Sequence, residues 1–391
     1  MSSLKTKIIA LADTYFEDTV SIRRYLHQYP ELSFQEYETS KFIQNTLKNY
    51  DIPFQSSIVD TGVVALIEGQ RPQSKCIALR ADIDALPIVE QNDVSYASKN
   101  KGVMHACGHD FHTASLLGVA RILNELKSEW EGSIKLIFQP GEEKLPGGAS
   151  LMIEHGVLEN PRVDKIIGQH VSPELACGTI GIKAGKFMAS TDEIYINVIG
   201  KGGHAALPKG NINPILMASD LISTLYSHFS KETDYENVFS IGSIEGGSAG
   251  NIIPDEVQLK GTFRAMDMTF REHAHSVIET ICKKVSQLHG GNCELNIVKG
   301  YPVLTNDEAF TSHCSNYAED FMGADRVLSI SKRMTSEDFA YYSHHVPSCF
   351  YRIGVGELNG VRKYLHNAEF DVDETALKHS IGLMSWLAIK S

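Results

Sequence analysis

The sequence predicts an α/β protein that carries a second, inserted module, and two observations lead to this fold class. Helical and strand patterns alternate over residues 62–169 and again over residues 308–388, which is typical of a sheet covered by helices on both faces. Between these stretches the order becomes strand, helix, strand, strand, helix and strand, the ferredoxin-like pattern. The simplest interpretation is a discontinuous α/β domain with a ferredoxin-like βαββαβ module inserted in it.

The first α/β stretch opens with two helices and then alternates strands with helices. Apolar residues recur at helical spacing in the helical segments, and apolar runs bounded by Gly, Pro or charged residues mark the strands. The predicted helices cover residues 8–26, 36–47, 111–127 and 149–158. The predicted strands cover residues 62–69, 76–86, 133–139 and 165–169.

The inserted module and the segment that follows it complete the predicted order. The module has predicted strands at residues 194–199, 238–244, 257–264 and 293–298, and helices at residues 214–227 and 270–288. A helix at residues 308–321, a strand at 349–353 and a helix at 374–388 resume the alternation. We therefore expect residues 1–185 and 299–391 to form one domain and residues 186–298 to form the insertion.

The composition indicates a globular, acidic protein. The 391 residues are 42% hydrophobic and 21% charged, which excludes a disordered or fibrous chain. The net charge is −12 and no Lys/Arg block occurs, so nucleic-acid and membrane partners are disfavoured. Asp13 and Glu17 interrupt the first apolar stretch, and the seven cysteines form no CxxC. We expect a cytoplasmic protein with reduced thiols.

Four groups of ligand-type residues lie at or just beyond the ends of predicted strands, where open α/β sheets place their binding crevice. They are His105-Ala-Cys107-Gly-His109-Asp110-Phe-His112, Glu142-Glu143, His170 and His366. Any one of these residues alone is more typical of a packed or solvated side chain. Their joint placement favours a divalent metal site, because thiolate and imidazole bind zinc and its transition-metal neighbours and a carboxylate can bridge two ions.

Two pairs of acidic residues complement these ligands. Glu142 and Glu143 are adjacent like charges, so one is expected to bind metal and the other to act as a general base. Asp82 and Asp84 alternate at the end of a predicted strand and would share a face. A carboxylate there could orient a ligand imidazole, although a turn cap before Pro87 explains Asp82 equally well.

The inserted module contributes three further candidates. His204 lies in the glycine-rich loop at residues 200–204, just after a predicted strand, where it could approach a ligand. Asn251 and Arg264 could hold a substrate carboxylate, the arginine through a two-pronged contact. From spacing alone, a turn asparagine and a surface arginine are the better explanation.

In combination, these motifs resemble those of the M20 peptidase family, in particular its branch of aminoacylases, hippurate hydrolases, acetyl-diaminopimelate deacetylases and auxin-conjugate hydrolases. The match runs nearly end to end. The motifs that carry it are Arg24-Tyr-Leu-His27, Arg80-Ala-Asp-Ile-Asp84, residues 105–113, Gly141-Glu-Glu143, residues 200–204, Ser336-Glu-Asp-Phe-Ala340 and His366. Asn367-Ala368 and Lys144 depart from the pattern of many relatives, and they bear on pocket shape and acyl preference.

The resemblance implies a zinc-peptidase-like catalytic domain whose mixed sheet lies between helices, and an inserted module that is both lid and dimerisation surface. It implies two divalent metals per subunit, drawn from zinc, manganese, cobalt and nickel. The implied metal ligands are Cys107, His109, Glu143, His170 and His366. Glu142 would be the base, Asp84 would orient a ligand, and His204 would stabilise the oxyanion in the partner subunit's site. Asn251 and Arg264 would contact the substrate carboxylate.

The activity implied by the resemblance is metal-dependent hydrolysis of N-acyl-L-amino acids by a homodimer. A dipeptidase or carboxypeptidase of the same family is the alternative, since it needs the same metal chemistry and differs in the acyl side of the pocket. A metal-binding protein without catalysis would not need Glu142 as a base. A nucleotide-binding protein is disfavoured because the glycine-rich loops lack the phosphate-loop lysine and the GxGxxG pattern.

Overall fold

The computed structural model describes residues 3–207, 209–356 and 363–391. The chain divides into two compact units, which are described separately. The first unit comprises Met1–Gly185, Thr305–Ser331 and Asp338–Ser391, and the second comprises Lys186–Leu304 and Lys332–Glu337. Among the described residues, no helix is both long enough and apolar enough to cross a membrane.

The helices lie close to the predicted positions. They are α1 (Leu4–Gln28), α2 (Tyr37–Asn49), α3 (His109–Glu125), α4 (Gly148–Glu154), α5 (Pro214–Phe229), α6 (Met268–His289), α7 (Glu308–Met322), α8 (Ala340–Ser343) and α9 (Ala376–Lys390). Side-chain caps fix several of their starts. Asn213 caps α5, Asp267 caps α6 and Asp307 caps α7, each by accepting a backbone N–H of the first turn.

The strands include several that the sequence patterns did not predict. They are β1 (Phe54–Ile58), β2 (Gly62–Glu68), β3 (Cys76–Asp82), β4 (Ser133–Gln139), β5 (Lys165–Ala176), β6 (Ile180–Ile182), β7 (Gly185–Met188), β8 (Ser190–Ile199), β9 (Gly203–His204), β10 (Asn237–Glu245), β11 (Ile252–Ile253), β12 (Glu256–Ala265), β13 (Asn292–Lys299), β14 (Leu304–Asn306), β15 (Val327–Ser329) and β16 (Ser348–Gly356). The unpredicted strands are short, so their apolar pattern is too brief to stand out.

The first unit is built on a mixed sheet, which confirms the predicted α/β class. Among the described residues its strand order is β1-β2-β4-β3-β5-β16-β6-β15. Strands β4, β3, β5 and β16 run parallel to one another and β15 runs parallel to β6, whereas the β1–β2, β2–β4 and β16–β6 pairs are antiparallel. Helix α3 packs against α1 and α9, and nearly all its residues are buried. The carboxyl ends of β3, β4 and β5 consequently meet at one edge of the sheet.

Two strand ends differ from the prediction, and both differences bear on candidate site residues. Strand β3 ends at Asp82, so Asp84 lies in the following loop and does not share a strand face with Asp82. Strand β5 continues to Ala176, so His170 lies within β5 and does not follow it. The extension is explained by the partner strand, because β16 stays paired with β5 through the register of His170 with Arg352 and beyond.

The second unit contains a four-stranded antiparallel sheet of order β10-β12-β8-β13. Helices α5 and α6 pack together and against the sheet, and they bury residues such as Leu221 and Ile278 with Phe263. A small two-stranded antiparallel sheet pairs β9 with β11, and in it His204 lies opposite Ile252.

Candidate active site

Seven of the ten candidate site residues lie in the first unit, around the shared edge of β3, β4 and β5. They come from five local settings: the loop after β3, the loop before α3 together with its first turn, the turn after β4, strand β5, and the loop before α9. They are Asp84, Cys107, His109, Glu142, Glu143, His170 and His366. The parallel direction of the three strands explains why distant parts of the sequence converge at this edge.

One group of possible metal ligands consists of Cys107, His109 and His170, whose ligand atoms lie within 4.8 Å of one another. The Cys107 Sγ lies 3.4 Å from His170 Nε2. Gly108, between the first two, has φ +85°, and a Cβ there would approach Val171 Cγ2 to 2.5 Å. Glycine is therefore required for the sharp turn that presents Cys107 and His109 on the same side.

A second group shares the cysteine and consists of Cys107, Glu143 and His366, again with ligand atoms within 4.8 Å of one another. His366 Nε2 lies 3.2 Å from Glu143 Oε1. The His366 backbone has φ +61°, and its N–H donates to Ala106 O at 2.8 Å, which ties this loop to the segment before α3. Two groups that meet at one thiol could hold two cations.

Asp84 contacts one residue of each ligand group, His109 of the first and Glu143 of the second. His109 Nδ1 donates to Asp84 O at 2.9 Å and lies 3.2 Å from Asp84 Oδ1. The other oxygen, Oδ2, accepts from Ser33 Oγ at 2.7 Å and from Glu143 N at 3.0 Å. His109 Nε2 is buried without a hydrogen-bond partner among the described residues, which suits a nitrogen that is to bind a cation.

The charges of the site also fit a cation. Burial lowers the pKa of His109, but Asp82, Asp84 and Glu143 outweigh it and raise that pKa to about 10. Burial, together with the carboxylates of Glu143, Glu142 and Asp82, raises the pKa of the Cys107 thiol well above its ordinary value. The site thus gathers more carboxylates than cationic side chains, an excess that divalent metals would neutralise.

A buried layer beneath these residues was not assigned a role from the sequence. Arg80 donates to Asp82 Oδ2 and to Asp338 Oδ1, both at 2.6 Å. The Asp338 N–H in turn donates to Glu142 Oε1 at 3.4 Å. Arg80 therefore links Asp338, whose N–H contacts Glu142, to Asp82. The signal in the sequence was an arginine within the otherwise apolar run Cys76–Ala81.

The other end of this layer is His112, whose protonation state follows from its partners. His112 Nε2 accepts from Val171 N at 2.9 Å, so this nitrogen carries no proton. Nδ1 then donates to Asp82 Oδ1 at 2.6 Å. Burial also lowers the pKa of His112, which keeps the ring neutral. His112 thus connects Asp82 to the backbone next to His170.

A second buried network, centred on Arg23, ties α3 to the loop that carries His366. Arg23 Nε donates to Asp110 Oδ2 at 2.7 Å, and Nη2 donates to Asp371 Oδ1 at 2.8 Å. Asp110 directly follows His109, and Asp371 lies five residues after His366. Because Arg23 is fully buried among these carboxylates, it holds both segments at fixed positions.

The remaining three candidates, His204, Asn251 and Arg264, lie in the second unit. The β9/β11 strand pair brings two of them together, since Ala205 N donates to Asn251 O at 3.0 Å. The His204 side chain is exposed, and its Nδ1 accepts from Ala206 N at 3.1 Å. Arg264 is half-buried and Nη1 donates to Met334 O at 3.1 Å, so it does not lie free on the surface.

The chain resembles proteins of known family along nearly its whole length. Residues 78–388 match the description Peptidase family M20/M25/M40. An N-acetyl-L-cysteine deacetylase of Bacillus subtilis is 41% identical over 366 residues, covering 93% of this chain and 86% of the relative. An N-acyl-L-amino acid amidohydrolase of Geobacillus stearothermophilus is 41% identical over 315 residues, covering 80% of this chain and 84% of the relative.

The fold has a solved counterpart as well. The structure of the Bacillus subtilis YXEP protein, described as a dinuclear metal binding peptidase from the M20 family, superposes with a TM-score of 0.83 at 36% identity. The similarity covers 96% of this chain and 98% of that one. Together, fold, ligand groups and relatives define the chain as a metal-dependent amide hydrolase. It belongs to peptidase family M20/M25/M40.

Metal uptake by this site should release protons. At pH 7, and without metal, Cys107 is a thiol and His109 an imidazolium, because their pKa values lie above 7. Each must lose a proton to bind a cation, so loading at pH 7 is expected to release about two protons per chain. Titration of metal into a weakly buffered solution of stripped protein, followed with a pH electrode, measures this number. Cys107→Ser should release about one proton fewer, and an unchanged number would exclude the thiol as a ligand.

Proposed function

We propose that this protein hydrolyses the amide bond of N-acyl-L-amino acids, using two divalent metals and Glu142 as the general base. The observation that carries the proposal is the position of Glu142 beside two possible ligand groups that share Cys107. The proposed ligands are Cys107, His109, Glu143, His170 and His366. The named activities of the Bacillus subtilis and Geobacillus stearothermophilus relatives support this substrate class.

Glu142 is suited to proton transfer by its surroundings. It is almost buried, and the Asp338 N–H binds one of its oxygens. Its backbone neighbour Glu143 points to His366, so the two adjacent carboxylates serve different partners. When bound, the metals would supply Lewis acidity to the amide carbonyl and to the attacking water. Glu142 would take the proton of that water and deliver it to the leaving amine nitrogen.

His204 is proposed to donate a hydrogen bond to the oxyanion of the reacting amide. Because its Nδ1 accepts a backbone N–H, the proton of the neutral ring lies on Nε2. That nitrogen is a donor on an exposed side chain, as an oxyanion contact requires. Asn251, on the paired strand segment, and Arg264 are proposed to bind the substrate carboxylate.

The second unit is proposed to act as a ferredoxin-like lid and as the surface of a homodimer. Its element order, with two helices packed against a four-stranded antiparallel sheet, supports the ferredoxin-like assignment. The unit exposes large apolar side chains, among them Leu207, Leu216 and Ile252, at 70%, 59% and 53%. Apolar exposure of this kind is typical of a surface that meets a partner.

Peptide hydrolysis is the second candidate function, because the YXEP structure is described as a peptidase. The two activities share the metal chemistry and differ in what the acyl side of the pocket accepts. Hydrolysis rates on acetyl-, benzoyl- and aminoacyl-amino acids distinguish them.

We propose the cytoplasm as the location and zinc, manganese, cobalt or nickel as the metals. The seven free cysteines support a reducing compartment.

The role of Glu142 predicts the behaviour of Glu142→Gln. The amide keeps the shape of the side chain but cannot take a proton, so kcat on N-acetyl-amino acids should fall about 1,000-fold with metal content unchanged. Glu38→Gln is the matched control, since Glu38 is exposed on α2 and should keep full activity. A kcat for Glu142→Gln within tenfold of the unmodified protein would assign the base to another residue.

The proposed dimer predicts complementation between two inactive variants. If His204 acts in the partner subunit's site, His204→Ala and Glu142→Gln chains mixed by unfolding and refolding should recover up to about a quarter of full activity. Each mixed dimer then contains one site with both residues intact. Tagged chains allow the mixed dimers to be purified and assayed. Activity no higher than that of the parent variants would place His204 in the site of its own subunit.

A further inference from the structure

Glu36 is a buried carboxylate outside the residues assigned so far. It lies directly before α2, and its side chain is inaccessible to solvent. Burial, with the negative charge of Asp84, raises the pKa of Glu36 to about 7. Removing a carboxyl group from water costs free energy unless hydrogen bonds replace the lost solvent. The partners of Glu36 therefore indicate what the buried position is for.

The hydrogen-bond partners of the Glu36 carboxyl group among the described residues are donors from three separate segments. Oε1 accepts from Phe34 N and from Gly141 N, each at 2.9 Å. Oε2 accepts from Thr61 Oγ1 at 2.7 Å. None of these donors is a cationic side chain, so the contacts are hydrogen bonds to groups whose direction is fixed, and not an ion pair. Glu36 thus joins the loop before α2 and the residue before β2 to the turn after β4.

Gly141 is the first residue of the turn that contains Glu142 and Glu143. Its φ is +62°, and a Cβ at this position would approach the ring of Phe34 to 2.4 Å. Gly148 N donates to Gly141 O at 3.0 Å, so the peptide groups on both sides of Gly141 are held. Only glycine fits this conformation and contact, and Glu36 fixes the position of its N–H.

The turn is held at both of its ends by carboxylates. Glu36 accepts the N–H of Gly141, and Asp84 accepts the N–H of Glu143 at 3.0 Å. Glu142, between them, has its side chain contacted by Asp338 N. A movement of the Gly141 peptide would redirect both glutamates, because only Glu142 separates the fixed N–H of Gly141 from the fixed N–H of Glu143.

We propose that Glu36 is a positioning residue, which holds the Gly141 N–H so that Glu142 and Glu143 point at the reacting amide and the metals. This inference rests on the proposed function, since it takes the roles of Glu142 and Glu143 from it. The requirement is an acceptor at the Oε1 position with the reach of a glutamate side chain. A negative charge is not required, because the neutral form of the carboxyl group also accepts at this oxygen.

Three substitutions of Glu36 test separately whether the hydrogen-bond acceptor, the negative charge or the length of the side chain is required. Glu36→Gln keeps the reach and an oxygen acceptor, and its Nε2 can donate to Thr61 Oγ1, so kcat on N-acetyl-amino acids should stay within about threefold. Glu36→Asp keeps the charge but loses the reach, and Glu36→Leu loses the acceptor. Both should lower kcat by about 10- to 100-fold with KM changed less than about threefold, and should weaken metal binding measured against a chromogenic chelator.

Glu31→Leu is the matched control. Glu31 also accepts backbone N–H groups in this segment, from Glu38 at 3.2 Å and Thr39 at 2.8 Å, but none from the Gly141 turn. The Glu31→Leu substitution should lower the thermal unfolding temperature of the protein and leave kcat unchanged. If Glu36→Leu does not fold, the Gln and Asp variants alone carry the comparison.

Two results would overturn the inference: a folded Glu36→Leu with unchanged kcat and metal affinity, or an active Asp variant beside an inactive Gln variant. Failure of the unmodified protein to hydrolyse any acyl-amino acid would instead reject the proposed function. Metal affinity of the variants would still test the position of Glu143 in that case.

Discussion

The contact of Asp84 with His109 and Glu143 is the interaction on which the rest of the site depends. One carboxylate accepts the Nδ1–H of the imidazole and, through its other oxygen, the backbone N–H of the glutamate. These two residues come from α3 and from the turn after β4, which are about thirty-five positions apart in sequence. Asp84 therefore sets the distance between the possible ligands on either side, and it leaves His109 Nε2 directed at the space between them.

Two buried arginines pair with carboxylates near this contact. Arg80 pairs with Asp82 and Asp338, and Arg23 pairs with Asp110 and Asp371. A buried ion pair contributes little net stability, because the cost of removing both charges from water offsets their attraction. Its value here lies in geometry, since each arginine contacts carboxylates from two different segments.

The sequence predicted most of the fold, and it named seven candidate residues that the structure brings to one edge of the first unit's sheet, for identifiable reasons. Long periodic segments such as α6 and adjacent ligand residues such as Cys107 and His109 leave local patterns. The predicted end of β5 was wrong because β16, almost two hundred residues away, keeps that strand paired past His170. The supports of the site, Glu36, Arg80, His112 and Asp338, act through contacts between distant segments. No local pattern reveals which partner a buried charged residue will have.

The proposal to test first is that this chain is a two-metal hydrolase of N-acyl-amino acids. The most direct test measures metal content per chain by mass spectrometry on protein purified under reducing conditions. Release of amino acid from N-acetyl- and N-benzoyl-amino acids is assayed before chelation, after chelation and after metal is restored. We expect about two metals per chain and activity that disappears and returns with them. A fully loaded protein that leaves every acyl-amino acid intact would contradict it.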